Sequence, residues 1–334
     1  MSRTLVVVAA LLASCSEYDI QGEGGAPPVS ALPPELENPV RVDSIKQITV
    51  PTVDVLFVVD NSCSMSDDQK LLRDNFPTFM AYFEGSGLDY HIGVVTTDMD
   101  APKESGKLQD GGTGFPWIDP LTPDANGVFA AMTDLGSGGS GFEMGLDASF
   151  AAIELHAIPG GANDGFYRDS ARLDIVIVSD EEDQSEDLTQ AEFVEYLRGL
   201  KVSETLLGFS SIVNIPPCCG LIDGGSPGDI YMGVTDEIGG IKWDIKDGDW
   251  TGVLELLGIQ ASGLKREFFL SELPVSGTVV VQVIDVDGTE FEFQEGADWI
   301  YSAPRNSITF LEYLPPPLAD VNITFEALAA AEAN

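Results

Sequence analysis

Residues 53–65 read Val53-Asp54-Val55-Leu56-Phe57-Val58-Val59-Asp60-Asn61-Ser62-Cys63-Ser64-Met65. Apart from Asp54, the first seven are apolar and mostly β-branched, the composition of a central parallel strand covered on both faces. Asp60, Ser62 and Ser64 follow at i, i+2 and i+4. In an extended turn, alternate side chains point the same way, so one acid and two hydroxyls converge. They do so at the carboxyl end of a strand, where doubly wound sheets hold their ligands.

Moving outward, Leu71, Leu72, Phe76, Phe79, Met80 and Phe83 recur at helical spacing. A second strand is predicted over 90–97, then a Gly- and Pro-rich excursion over 99–140 with one short helix near 124–133. Helix 142–158, strand 173–178, helix 188–200, strand 206–213, helix 229–238, strand 241–245 and helix 250–264 complete the pattern. Strands alternating with helices predict an α/β fold over 51–264, a doubly wound, mostly parallel sheet with helices on both faces. After Lys265 the style changes. Segments 279–286, 289–294, 299–301, 307–313 and 322–326 alternate in period two between Gly and Pro, so 265–328 is expected to form a small C-terminal antiparallel β module.

The amino terminus reads as an address. Arg3 precedes an apolar run from Leu5 to Leu12, too short to span a bilayer, followed by Ala13, Ser14 and Cys15. Leu12-Ala13-Ser14-Cys15 resembles the lipobox of bacterial lipoproteins, which implies a signal peptide over 1–14 and lipidation of Cys15. An ordinary signal peptide with an incidental Cys is the alternative. Both readings put the mature chain outside the cytoplasm. Ser16 after the lipid-bearing Cys goes, in Gram-negative lipoproteins, with outer-membrane sorting, so the expected location is the outer membrane or cell surface. The stretch 15–50, with Gly22, Gly24, Gly25, Pro27, Pro28, Pro33, Pro34 and Pro39, is expected to be an acylated start and a flexible linker.

Two further stretches bring oxygen donors to the edge that carries Asp60. Ile175-Val176-Ile177-Val178-Ser179-Asp180 delivers a second acid after a buried strand, and Ser137-Gly138-Gly139-Ser140-Gly141 offers another hydroxyl before a helix. With these residues the chain resembles a von Willebrand factor type A domain over about 51–264. That family holds a divalent cation in an Asp-x-Ser-x-Ser turn joined by a Thr and an Asp from later loops. The resemblance implies Asp60, Ser62, Ser64, Ser140 and Asp180 as ligands of Mg²⁺ or Ca²⁺. Ser140 then stands for the usual Thr and lacks the methyl that stiffens its rotamer. Such an ion keeps an open position that, in the family, takes an Asp or Glu from a protein partner. The expected activity is adhesion, cation-dependent protein binding, and not enzymatic turnover.

Charge bounds the partners. The chain carries 16 Lys and Arg against 55 Asp and Glu, a net charge of -39, which opposes nucleic acid and anionic lipid headgroups. Contact with the membrane is therefore expected through the lipid anchor only. The run Asp180-Glu181-Glu182-Asp183, with Glu186 and Asp187, is read as a solvated helix start that attracts cations. If Cys15 is lipidated, Cys63, Cys218 and Cys219 remain, an odd number for an oxidising compartment. The resemblance places the loop of Cys218 and Cys219 on the edge that carries Cys63. A bond to Cys63 bracing the turn and a bridge between Cys218 and Cys219 both remain open.

Other motifs fail on context. Gly136-x-Gly138-x-x-Gly141 does not follow a strand, so it lacks the setting of a dinucleotide fingerprint. Gly224-x-Ser226-x-Gly228 resembles a nucleophile elbow, but Pro227 has no backbone N–H for an oxyanion hole. Asp285-x-Asp287-Gly288 starts like a calcium loop, yet the alternation around it says hairpin. His91 and His156 read as structural. Two rivals to adhesion stand: an envelope protein whose metal only stabilises it, and a metal-dependent hydrolase using Asp60 and Asp180 to activate water.

Overall fold

Among the described residues, the first regular element falls inside the expected linker. Strand β1 (Val40–Lys46) is ordered, so 15–50 is not a tether throughout. The structure is a computed structural model that describes residues 38–47, 52–84, 86–219 and 225–328. Of the chain's two units, Pro39–Leu328 contains every described residue except Asn38. The expected signal peptide and Cys15 lie outside the described residues. Hydrophobicity gave no sign of β1 because Val40 and Val42 are 63% and 58% exposed. It is an edge strand, held along its length by antiparallel pairing with residues 320–326.

The α/β part begins with β2 (Thr52–Val59) and α1 (Ser66–Met80), followed by β3 (Asp89–Thr96), α2 (Ala125–Met132) and α3 (Gly145–Phe150). Then come β4 (Arg172–Ser179), α4 (Gln190–Leu200), β5 (Leu207–Val213), α5 (Asp229–Ile238), β6 (Lys242–Asp244) and α6 (Trp250–Ser262). The strands form one parallel sheet in the order β3-β2-β4-β5-β6. This is the doubly wound sheet that the alternation of periods implies.

Strand β2 shows why its apolar run is almost unbroken. Val53, Val55, Phe57 and Val59 enter one core with residues of α1, α2 and α6, while Leu56 and Val58 enter the opposite core with residues of α3, α4 and α5. Phe57 alone meets Phe76, Phe79 and Phe129 edge to face. The exception, Asp54, is buried and paired: Arg168 donates to it from its backbone N at 2.7 Å and from Nε at 2.8 Å. Burial raises the Asp54 pKa, and the Arg168 charge opposes that rise.

The helix expected over 142–158 is shorter and irregular. It runs as α3 and then as a π-helical turn over Ala151–Leu155. The amide of Asn163 donates to the carbonyls of Ala152 and Gly106, both at 2.9 Å. A side chain that claims a helix carbonyl widens the turn around it.

The C-terminal module has two antiparallel sheets. Its strands are β7 (Glu267–Phe269), β8 (Val280–Ile284), β9 (Glu290–Phe293), β10 (Trp299–Ser302), β11 (Ser307–Phe310) and β12 (Asp320–Glu326). One sheet has the order β1-β12-β8-β9 and the other β10-β11-β7. Val281, Val283, Trp299, Phe310, Val321 and Ile323 share one core between them. The segment 265–328 is thus not the whole module: it includes a strand from before the α/β part. Gln47 secures this junction. Its backbone N–H donates to Ala319 O at 2.8 Å, and its buried amide donates to Lys265 O at 2.8 Å and Pro315 O at 3.1 Å. The Asp285-to-Thr289 segment is a hairpin turn, with Gly288 N on Asp285 O at 2.9 Å.

Candidate functional site

In the order β3-β2-β4, the neighbours of β2 lie on opposite sides, which makes its carboxyl end a topological switch point. Asp60 is fully buried there and its backbone N–H donates to Val178 O of β4 at 2.9 Å. Its Oδ1 accepts from Ser62 N at 2.7 Å, which closes the turn, and its Oδ2 accepts from Ser179 Oγ at 2.7 Å. The hydroxyls of Ser62 and Ser64 lie 3.2 Å apart, and Ser64 Oγ donates to Asp180 Oδ1 at 3.0 Å. The structure therefore brings Asp60, Ser62, Ser64 and Asp180 together.

Asp180 is fixed from the far side. Its carbonyl accepts from Asn214 Nδ2 at 2.5 Å and from Ser226 N at 3.1 Å. Gly225, at φ 74°, packs so close that a Cβ would lie 2.2 Å from that carbonyl. Only glycine combines that φ with that approach.

Ser140 sits differently. Its Oγ donates to Asp100 Oδ2 at 2.9 Å and accepts from Phe142 N at 3.1 Å, while its N–H donates to Asp98 Oδ2 at 3.0 Å. The loop does touch the Asp60 turn, but through Gly139, whose N–H donates to Asn61 O at 3.0 Å. Ser140 thus belongs to a hydrogen-bonded group with Asp98 and Asp100, beside the other four.

The residue that approaches Asp60 from this stretch is Glu143. It is fully buried, and Thr97 Oγ1 donates to its Oε2, while the N–H of Thr97 donates to Val59 O, next to Asp60, at 3.3 Å. Its Oε1 has no hydrogen-bond partner. Sequence reasoning took Glu143 as the first turn of a helix; the helix starts later, at Gly145. Gln69 was missed too: its buried amide donates to Asp60 O at 3.0 Å and Gly136 O at 3.1 Å, tying turn and loop together. Glu104 joins Asn61 Nδ2 at 2.8 Å and Thr96 Oγ1 at 2.9 Å beneath the turn. No spacing rule marks these residues; their places follow from how the loops fold back.

Burial dominates the electrostatics. It raises the Asp60 pKa, against the Ser62 and Ser179 hydrogen bonds that lower it. Burial, then the Asp60 charge, pushes Glu143 up to about 8. Asp68, at the start of α1, is pushed up to about 6 by burial, although Lys246 pulls it down. The Lys246 ammonium lies 3.9 Å from Asp180 Oδ2. The acidic run is not a solvated face throughout. Glu182 accepts from Asp229 N and Ile230 N, both at 3.0 Å, at the start of α5, and Asp183 accepts from Leu146 N at 3.1 Å. These carboxylates satisfy helix-end N–H groups.

The donor chemistry fits a hard cation. Carboxylates and hydroxyls are the oxygen ligands Mg²⁺ and Ca²⁺ take, and the unpartnered buried Glu143 Oε1 is the kind of group a cation satisfies. Among the described residues, no three His, Cys, Asp or Glu side chains form a metal-holding group. An ion here draws on the Ser62 and Ser64 hydroxyls as well as the carboxylates.

The cysteines take the second of the two open pairings. Cys218 and Cys219 form a disulfide with each other, and Cys63 is free and exposed. Cys63 lies at the outer side of the turn, so no bond braces it; the hydrogen bonds of Asp60 and Gln69 hold it instead. His91 and His156 bond backbone carbonyls, Phe166 O at 2.8 Å and Ser105 O at 2.9 Å.

No family model matches this chain, and no curated protein matches it. Among solved structures it is similar to a von Willebrand factor type A protein from Catenulispora acidiphila, at 12% identity and a TM-score of 0.40, covering 90% of this chain and 68% of that one. It is also similar to proximal thread matrix protein 1 of the mussel byssus, at 9% identity and a TM-score of 0.41, over 68% of this chain and 51% of that chain. A third is the pilus adhesin SpaC from Lactobacillus rhamnosus GG, at 10% identity and a TM-score of 0.43. There the match spans 86% of this chain and 41% of the adhesin. Among the described residues, no helix is long and apolar enough to cross a membrane.

Proposed function

We propose that this chain is an extracytoplasmic lipoprotein that binds a protein partner through a divalent cation held at the carboxyl end of β2. The observation that carries this reading is the meeting of Asp60, Ser62, Ser64 and Asp180 at the switch point of the sheet. Asp60 and Asp180 neutralise a dication, Mg²⁺ or Ca²⁺, and the hydroxyls orient it; the ion supplies a positive point to which a partner's Asp or Glu binds in a partly dehydrated place. The role is binding and not turnover. Cys15 carries the lipid, and the acidic head stands off anionic headgroups.

The test is capture of partners from envelope extract by the wild type and by Asp60→Ala, each with divalent ions and with EDTA. Capture by the wild type with ions, lost in EDTA and in Asp60→Ala, is expected. One observation favours a second reading, in which the ion only stabilises the fold: Glu143 is fully buried and held by Thr97 at the end of β3. Capture that survives chelation while the head stays folded supports that reading and removes the first.

A further inference from the structure

We propose that Glu143 is itself a cation ligand, in place of the hydroxyl that the resemblance expected of Ser140; this rests on the cation reading above. The Ser140 hydroxyl is already engaged by Asp100 and by Phe142 N. Glu143 comes from the same stretch and is held beside the Asp60 turn by Thr97, whose hydroxyl donates to its carboxyl and whose N–H donates to Val59 O at 3.3 Å. Its position is fixed from both sides: Gln184 N donates to Glu143 O at 2.6 Å, and Met144 N donates to Thr97 O at 3.1 Å. Thr97 Oγ1 satisfies one carboxyl oxygen. The other, Oε1, is buried with no donor.

A buried acid beside the Asp60 turn with one oxygen unpartnered is unfavourable in its ionised form unless a positive charge meets that oxygen. A dication satisfies that oxygen and supplies the charge at once. Among the described residues, the acids are not gathered as a three-carboxylate group; the buried, unpartnered Glu143 Oε1, held at the Asp60 turn through Thr97, is what the assignment uses. The consequence concerns the partner. When Asp60, Asp180 and Glu143 all engage one dication, the chain supplies the third carboxylate itself. A partner's Asp or Glu then competes with Glu143 for the ion and does not enter an empty place.

The test is calorimetric titration of the full chain with Mg²⁺ and with Ca²⁺, together with thermal melting in EDTA and in saturating ion. Wild type, Glu143→Gln, Ser140→Ala and Asp60→Ala are compared. The wild type is expected to bind and Asp60→Ala to lose binding. Glu143→Gln is expected to weaken binding about tenfold or more, while Ser140→Ala leaves it unchanged. Glu143→Gln is also expected to melt higher than the wild type in EDTA, because a neutral amide is buried there without needing a proton or a counter-charge, and to gain less on adding ion. A merely structural Glu143 does not give that reversal. If Glu143→Gln does not fold, Glu143→Met, which has no oxygen for the ion, is read in the same way. Unchanged affinity in the Glu143 variant, with binding lost in Asp60→Ala, overturns the assignment and leaves the cation reading standing. A wild type that binds neither ion overturns both.

Discussion

Replacing Lys246 with Met is expected to tighten divalent-cation binding. The Lys246 ammonium lies 3.9 Å from Asp180 Oδ2, and the side chain is 48% exposed. Asp180 is only 3% exposed, so removing the ammonium leaves a buried carboxylate unpaired, and some loss of stability is expected in EDTA that added ion restores. Against a dication bound to Asp180 the same charge acts twice over. An ion one coordination bond beyond that oxygen is about 6 Å from the ammonium, where their repulsion in water is about 1.4 kcal/mol. That corresponds to about tenfold in affinity at low salt. At physiological ionic strength the Debye length of about 8 Å roughly halves the energy, leaving about threefold. Calorimetric titration of wild type and Lys246→Met, at low salt and at physiological salt, measures both values. Equal affinities at low salt, or a gain that does not shrink as salt is added, refute the reasoning, because either result places the ammonium outside the field of the ion.

Two further outcomes follow from the buried acids and from the junction. In EDTA, stability is expected to fall as pH rises from about 4.5 to about 8: Glu143 is shifted from 4.5 to about 8 and Asp68 from 3.8 to about 6. Acids that hold their protons more tightly when folded stabilise the fold below their unfolded pKa and lose that contribution as pH rises through the folded one; a urea midpoint that stays flat or rises across this window contradicts it. Gln47→Ala leaves Lys265 O and Pro315 O without their donor and is expected to cost about 1–3 kcal/mol in urea unfolding. A loss within about 0.5 kcal/mol shows that the junction does not depend on this amide.

The legible parts of this chain are those whose signals are local. The run Val53 to Val59 is buried on both faces, so its composition alone marks a central strand. The period-two segments after Lys265 match β8 and β12 because alternate residues are buried along each. The Asp60-x-Ser62-x-Ser64 turn was legible because its three side chains share one stretch of backbone. Strand β1 was not legible, since its exposed valines carry no burial pattern and its backbone pairing depends on residues 320–326.

The sequence by itself determined that an acid and two hydroxyls leave β2 on the same side, and that a second acid ends another buried strand. It determined these because strand geometry fixes side-chain direction over a few residues. Only the tertiary structure decided which residue of the 136–145 stretch reaches Asp60. Ser140 is held by Asp98 and Asp100, whereas Glu143, three residues on, is drawn into the core by Thr97 and Gln184. The same holds for the cysteines, since bridging Cys63 depends on loop positions that no spacing encodes. Such choices rest on contacts between segments far apart in the chain, and no local pattern of residue types records them.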